Sequence, residues 1–367
     1  MKIAFVGINI LKENVIAALS NKEEVVVFES VEENKNKKTN YKSIIIEYRT
    51  FGINFLITTF KLQLSPPSQI KNLKSSLNKE NPDTIIVFDF FRFYFFQVCQ
   101  YVKENSQCRL HLYAETQRWP KNFLAKLGMK YFFWYLKKNI NNVNTIFVFT
   151  TQSKIFFEEN IPNARVVLAP IPVDTKNFRP VVERVWLPNR TLRILMNARY
   201  VNYKRHEDLL RAAHLLKKKS KSFHIGFIGR ADQGRKNIES LVTVLNLGSN
   251  VTFLDPVAPG SLPSIYGQYD TLVLPSDNEA LGLVVPEAMA CGIPTITSDS
   301  VGANVYVKEG ETGLIYPTGD VAKLANAIEQ IADKKKLQKM CAASQRRLVK
   351  YFNLSACKGV FSASIED

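Results

Sequence analysis

The sequence predicts an α/β chain of two Rossmann-like, doubly wound parallel-sheet domains facing a central cleft. Three observations carry this expectation. Short apolar, β-branched runs alternate with amphipathic stretches along the 367 residues, the pattern of strand–helix–strand units. The length suits two domains of roughly 100–200 residues each. A proline-punctuated linker, from Ala169-Pro170-Ile171-Pro172-Val173-Asp174 to Phe178-Arg179-Pro180, separates two such series. Residues 1–175 are therefore assigned to an N-terminal domain and 176–350 to a C-terminal one.

In the first series strands are expected at Lys2–Val6, Val25–Phe28, Ser43–Glu47, Thr84–Phe88, Arg109–Tyr113, Thr145–Phe149 and Val166–Leu168, with a lysine-rich loop at Asn34–Thr39. The second series reads as strands at Arg193–Met196, His224–Ile228, Val251–Leu254, Thr271–Leu274 and Thr295–Thr297. Helices are expected at Glu207–Lys218, Lys236–Asn246, Val284–Ala290 and Val321–Ala332. Open sheets of this kind bind ligands beyond the carboxyl ends of their strands.

Composition narrows the function classes. Hydrophobic residues are 46% and charged residues 22% of the chain, which excludes disordered and collagen-like proteins. No run of about 18 uncharged apolar residues is present, and the start lacks a signal-peptide core. The five cysteines form no C-x-x-C pair, so a reducing cytoplasmic setting is expected. The net charge is +16, and residues 101–150 hold eight basic and two acidic side chains. Such a local excess points to an anionic partner.

The segment Pro275–Pro294 carries the most chemistry. It leaves a strand, opens a helix near Gly282–Val284 and stops at Gly292. Residues 251–300 hold six acidic residues and no Lys or Arg. The helix start nonetheless offers an anion the amides of Gly282, Leu283 and Val284. Glu279 and Glu287 bracket that start. Both in a helix, they would stand about 12 Å apart along the axis, suited to two polar partners rather than one shared proton. Glu287 also lies in an otherwise apolar helix, where a carboxylate needs a partner.

This E-x7-E pattern, with Pro286-Glu287-Ala288-Met289-Ala290-Cys291-Gly292-Ile293-Pro294, resembles the donor-site signature of family 4 glycosyltransferases, retaining enzymes of the two-Rossmann GT-B fold. Val301-Gly302-Ala303 and Glu309–Ile315 resemble the family's downstream glycine-rich run. Ala198-Arg199-Tyr200-Val201-Asn202-Tyr203-Lys204 resembles its phosphate site, and Pro172-Val173-Asp174 with Phe178-Arg179-Pro180 its interdomain link. The resemblance covers about residues 165–352. It implies an N-terminal acceptor-binding domain, a C-terminal nucleotide-sugar-binding domain, and a segment 351–367 that crosses back to the first. It further implies that Arg199 and Lys204 grip the donor diphosphate and that Leu283 and Val284 hold phosphate oxygens. Glu287 would bind ribose hydroxyls, and Glu279 hydroxyls of the transferred sugar. Gly7 and Gly229 would let backbone approach the donor. No metal or other cofactor is expected, since two cations can stabilise the leaving group. The chain departs from the family pattern at Ala198, Arg205, Ala231 and Asp255, each a glycine there, and Gly7 stands where a glycine pair is common.

In the first half, Glu115 follows a strand and is a candidate for acceptor orientation or proton removal. His111, inside the strand, reads as a core histidine. Across Lys121–Lys138, Leu124, Leu127, Tyr131, Trp134 and Tyr135 share one helical face. Lys126, Lys130 and Lys137 form a neighbouring stripe, and Phe132 and Phe133 enlarge the apolar area. Aromatics beside lysines suit an anionic membrane surface; a buried helix with solvated lysines is the alternative. Phe90–Phe96 is a second aromatic run, of core or acceptor-lipid contact.

The leading expectation is a hexosyltransferase moving a sugar from a nucleotide diphosphate sugar to a saccharide or lipid-linked acceptor, in cell-envelope glycan or glycolipid synthesis. It would be cytoplasmic and peripheral at the inner face of the membrane. The alternatives are an epimerase of the same architecture and a non-catalytic sugar-nucleotide-binding or nucleic-acid-binding protein. No nucleic-acid-recognition signature appears, so no nucleic-acid partner is expected.

Overall fold

The computed structural model describes residues 1–6, 15, 24–30, 42–46, 48–50, 68–88, 91–120, 122–181, 191–230 and 233–366. The expected loop Asn34–Thr39 lies outside these residues. The chain divides into two compact units. Unit 1 comprises Met1–Ile171 with Cys357–Asp367, and unit 2 comprises Pro172–Ala356, so the division falls at Ile171/Pro172 rather than 175/176.

Unit 1 is built on strands β1 (Lys2–Val6), β2 (Glu24–Ser30), β3 (Lys42–Ile46), β6 (Thr84–Phe88), β7 (Arg109–Ala114), β8 (Thr145–Val148) and β9 (Val166–Leu168), with a small antiparallel pair β4 (Tyr48–Thr50) and β5 (Ser68–Ile70). The main sheet is parallel, in the order β3-β2-β1-β6-β7-β8-β9. β1 and β6 are buried along almost their whole length, as expected of strands covered on both faces. The covering helices are α1 (Leu73–Glu80), α2 (Phe93–Glu104), α3 (Phe123–Lys138) and α4 (Thr151–Asn160).

Helix α3 starts where the Asn122 side chain accepts a hydrogen bond from the Ala125 amide at 3.1 Å. It buries Ala125, Met129, Phe133 and Leu136, a stripe at helical spacing. The outward aromatic face expected for this helix is corrected in two positions. Phe133 belongs to the core, and Tyr135 turns inward onto Phe96, ring centroids 4.1 Å apart. Lys121 and Phe90 lie outside the described residues.

Unit 2 holds β10 (Leu192–Asn197), β11 (Phe223–Ile228), β12 (Val251–Leu254), β13 (Thr271–Leu274), β14 (Thr295–Ser298) and β15 (Gly313–Tyr316). Their parallel order is β12-β11-β10-β13-β14-β15. The order reverses between β10 and β13, the switch point where doubly wound sheets place ligands. Side chains alternate faces: Leu192, Ile194 and Met196 pack on one core, and Leu195, Leu272 and Leu274 on the other. Helices α5 (His206–Lys218), α6 (Gln233–Val244), α7 (Leu262–Gly267), α8 (Val284–Ala290), α9 (Val321–Ile331) and α10 (Lys334–Tyr351) complete the unit. The last helix, α11 (Leu354–Glu366), begins in unit 2 and ends in unit 1. There Phe361 packs on Phe147 at 5.2 Å, and Arg109 donates to the Ile365 carbonyl.

Candidate functional site in unit 2

The ends of three adjacent strands, β10, β11 and β12, meet beside the switch point. Asn197, Ala198 and Arg199 leave β10, Gly229 and Arg230 leave β11, and Pro256 and Val257 follow β12. Together with Lys204, Leu262 and Val284 they line a hollow of about 360 Å³. Gly229 is required there by space: a Cβ would stand 2.5 Å from Tyr200 Cε2 and 2.6 Å from the Ala198 carbonyl oxygen. Ala198 itself adopts no left-handed backbone, so an alanine fits the position. Arg205 keeps the left-handed conformation a glycine would adopt, φ 53°. That costs an L-residue roughly 1–2 kcal/mol. Its Nε donates to Asp208 Oδ2 at 2.6 Å, which offsets the cost. Asp255 is exposed and pairs with Arg235 at 3.0 Å, so it leaves the hollow open. Ala231 lies outside the described residues.

Lys204 ends a short helical turn, its amide bonded to the Val201 carbonyl at 2.9 Å. Its ammonium is partly buried and forms an ion pair with Glu279 Oε2. Glu279 is not helical. It bridges Val301, with Gly302 donating to its carbonyl at 2.7 Å, so the axial spacing expected of two helical glutamates does not apply. The Asp277 amide donates to the Tyr203 carbonyl at 2.7 Å, which ties the lysine loop to the glutamate loop. Arg199 is exposed, and its guanidinium donates to the Tyr203 hydroxyl at 2.9 Å.

The chain enters α8 through Gly282, φ 65°. A Cβ there would press on Leu274, Glu279 and Val301 at 3.0–3.2 Å. Leu283 and Val284 follow at the helix start, where amides have no intrahelical acceptor. Pro286 tolerates the first turn for the same reason, and Gly292, φ 76°, ends the helix.

One turn into α8, Glu287 accepts a hydrogen bond from the Tyr266 hydroxyl at 2.9 Å. Burial pushes its carboxyl up to about 7, against the pull of that hydrogen bond. Tyr266, on α7, is fully buried. Its phenol is raised well above the ordinary value by burial first and the Glu287 charge second, with a hydrogen bond to Asn197 opposing.

Of the expected donor residues, then, Arg199, Lys204, Gly229 and Val284 share the hollow, and Glu279 joins them through Lys204. Gly282 and Leu283 form the turn beside it, and Glu287 is held just behind. Tyr266, Asn197 and Tyr203 were not legible as site residues. Only the need of buried Glu287 for a partner hinted at Tyr266. A neighbouring hollow of about 340 Å³ contains Arg205, Arg211, Glu207 and Asp208. Its cations are paired with its own carboxylates, leaving little charge for an anion.

Unit 1 holds the remaining candidates. Glu115 is exposed immediately after β7. His111 is fully buried against Phe147, and burial lowers its pKa to about 4, which makes it a neutral core residue. Gly7 lies outside the described residues.

Residues 183–348 match the family described as glycosyl transferases group 1. A D-inositol 3-phosphate glycosyltransferase of Corynebacterium diphtheriae is 30% identical over 185 residues, 47% of this chain and 43% of that relative. The chain thus matches less than half of that relative's length. Among solved structures, Anabaena HepE in complex with UDP aligns over 100% of both chains, with a TM-score of 0.76 and 15% identity. Sucrose-phosphate synthase from Thermosynechococcus elongatus aligns over 99% of this chain and 98% of that one, with a TM-score of 0.73 and 21% identity. These likenesses show the GT-B class of fold.

Proposed function

We propose that the chain is a retaining, nucleotide-sugar-dependent hexosyltransferase. It transfers a sugar from a nucleotide diphosphate sugar to a hydroxyl of a saccharide or lipid-linked acceptor in cell-envelope glycan or glycolipid synthesis. The carrying observation is the hollow at the β10/β13 switch point, with Lys204 and Val284 in its wall and Arg199 at its rim. A diphosphate there would meet two cations and the first amides of α8. When the glycosyl–phosphate bond breaks, its electron pair stays on the phosphate oxygen. Fixed positive charge at that oxygen lowers the barrier, with no metal required. The acceptor hydroxyl attacks from the face the phosphate leaves, and its proton passes to the departing phosphate, which gives retention. Glu279 contacts hydroxyls of the transferred sugar and Glu287 those of the ribose. Glu115, in the other unit, orients the acceptor. The setting is the cytoplasmic, inner face of a membrane, reached as a peripheral protein. No helix among the described residues is long and apolar enough to cross one.

The test is thermal unfolding with UDP, GDP and ADP, UDP first because HepE was solved with it. A nucleotide at a hundred times its Kd adds about 2.7 kcal/mol to the native state, several degrees in Tm. If no diphosphate moves Tm, the donor assignment is rejected. Retention is read from the anomeric coupling of the product, which must match the donor.

A further inference from the structure

Helix α3 leaves large apolar side chains in water. Phe123 is 76% exposed, Leu124 53%, Leu127 56%, Tyr131 50% and Trp134 49%. At 100° per residue these five span an arc of about 100°, opposite the buried stripe Ala125, Met129, Phe133 and Leu136. Both long faces of the helix are therefore apolar, and the core accounts for one of them. The outer face is ordered. Tyr131 stacks on Trp134 at 5.8 Å, and Lys138 Nζ sits 4.1 Å over the Trp134 ring. The structure also joins the two aromatic runs. Phe96 on α2 stacks on Phe132 at 5.3 Å and meets Tyr131 edge-on at 6.0 Å, so a packed aromatic layer supports the exposed row.

Charge identifies the occupant. The helix carries Lys126, Lys130, Lys137 and Lys138 and no Asp or Glu. The first three form a stripe along one edge of the apolar arc, exposed to solvent. A row of aromatic and leucine side chains flanked by cations on flexible stems matches the boundary of an anionic bilayer. There Trp and Tyr sit at headgroup depth and lysines reach the phosphates.

We infer that the outer face of α3 is a membrane-docking surface whose partner is a bilayer rich in acidic phospholipid. The helix lies flat in the interface, with Phe123, Leu124, Leu127, Tyr131 and Trp134 among the headgroups. This specifies the membrane contact proposed above. It stands apart from the donor chemistry, because lipid binding needs no nucleotide.

The experiment is sedimentation of the full chain with vesicles of phosphatidylcholine alone and of phosphatidylcholine with phosphatidylglycerol, with Trp emission followed in parallel. The expected result is binding to the acidic vesicles, with a blue shift that the W134F variant loses. Lys126→Gln, Lys130→Gln and Lys137→Gln together should reduce binding at least tenfold, each lysine being worth about one kcal/mol near such a surface. The paired variant L127E and W134E should abolish it while circular dichroism and nucleotide-induced Tm shifts are unchanged, these positions being exposed. Equal recovery with neutral and acidic vesicles would overturn the inference. So would binding that survives L127E and W134E, or a wild-type dimer in sedimentation velocity that those substitutions dissolve, which would assign the face to a second copy. Failure here with intact nucleotide shifts rejects the docking surface alone.

Discussion

The hollow of unit 2 and the outer face of α3 are both basic, yet they treat charge in opposite ways. In the hollow Lys204 is partly buried and paired with Glu279, and the surrounding loops are tied by backbone bonds such as Asp277 to Tyr203. On α3 the lysines stand in solvent beside unburied aromatics. Fixed, desolvated charge selects one ligand geometry, because water and salt screen it poorly. Exposed charge on flexible stems attracts any anionic surface and is screened readily. The same residue type thus makes a discrete site in one region and a general surface in the other.

The comparison breaks most sharply at the two donor-site cations. Lys204→Ala or Arg199→Ala is expected to lower kcat by about 10²–10³-fold, the scale of a lost transition-state charge partner, with Tm nearly unchanged. An unaltered rate in either variant removes that cation from the reaction. Salt comes next. Between 50 and 500 mM sodium chloride, vesicle partition should fall roughly tenfold or more while UDP affinity falls only a few-fold. Parallel losses would mean that the two regions do not differ as described. A smaller effect is expected of Glu279→Gln. Releasing Lys204 from its carboxylate should tighten UDP several-fold by calorimetry while turnover drops, since the lysine no longer exchanges one anion for another. Weaker UDP binding in that variant would show the pair to be a positioning device only.

The smallest effect concerns Glu287. Its carboxyl is raised from 4.5 to about 7 in the native protein. The native state therefore binds a proton that the unfolded chain has already released. That stabilisation is present below pH 4.5 and is lost as pH rises through about 7. Glu287→Gln keeps an acceptor for Tyr266 and removes the titration. It should raise Tm by a few degrees at pH 8 and change little at pH 5. A Tm difference independent of pH would place the carboxyl in a more solvated setting than the buried Tyr266 contact implies.

Legibility in the sequence followed locality. β1, β6, β9, β12, β13 and α8 have the bounds their apolar runs give them, because those runs are short, β-branched or capped and bounded by turn residues. The glycines at 282 and 292 have a local reason in φ, whereas Gly229 is required by Tyr200 and the Ala198 carbonyl, about thirty residues away in the chain. The left-handed backbone of Arg205 was hinted at only by the family's glycine there, since an arginine does not itself signal a positive φ and its Asp208 contact, three residues on, forms once the turn is made. The inward turn of Phe133 and Tyr135 was equally hidden. Periodicity gives the angle between side chains on a helix but not which arc faces the sheet.

By itself, then, the sequence determined the two parallel-sheet halves, the turn chemistry and the set of charged residues near the strand ends. Local backbone preference and hydrophobic period are properties of neighbouring residues. Only the tertiary structure decided that Lys204 meets Glu279, that Tyr266 on α7 serves Glu287 on α8, and that α3 turns its aromatic row to solvent. Those outcomes depend on which segments burial brings together across many residues of chain, and no local pattern encodes that choice.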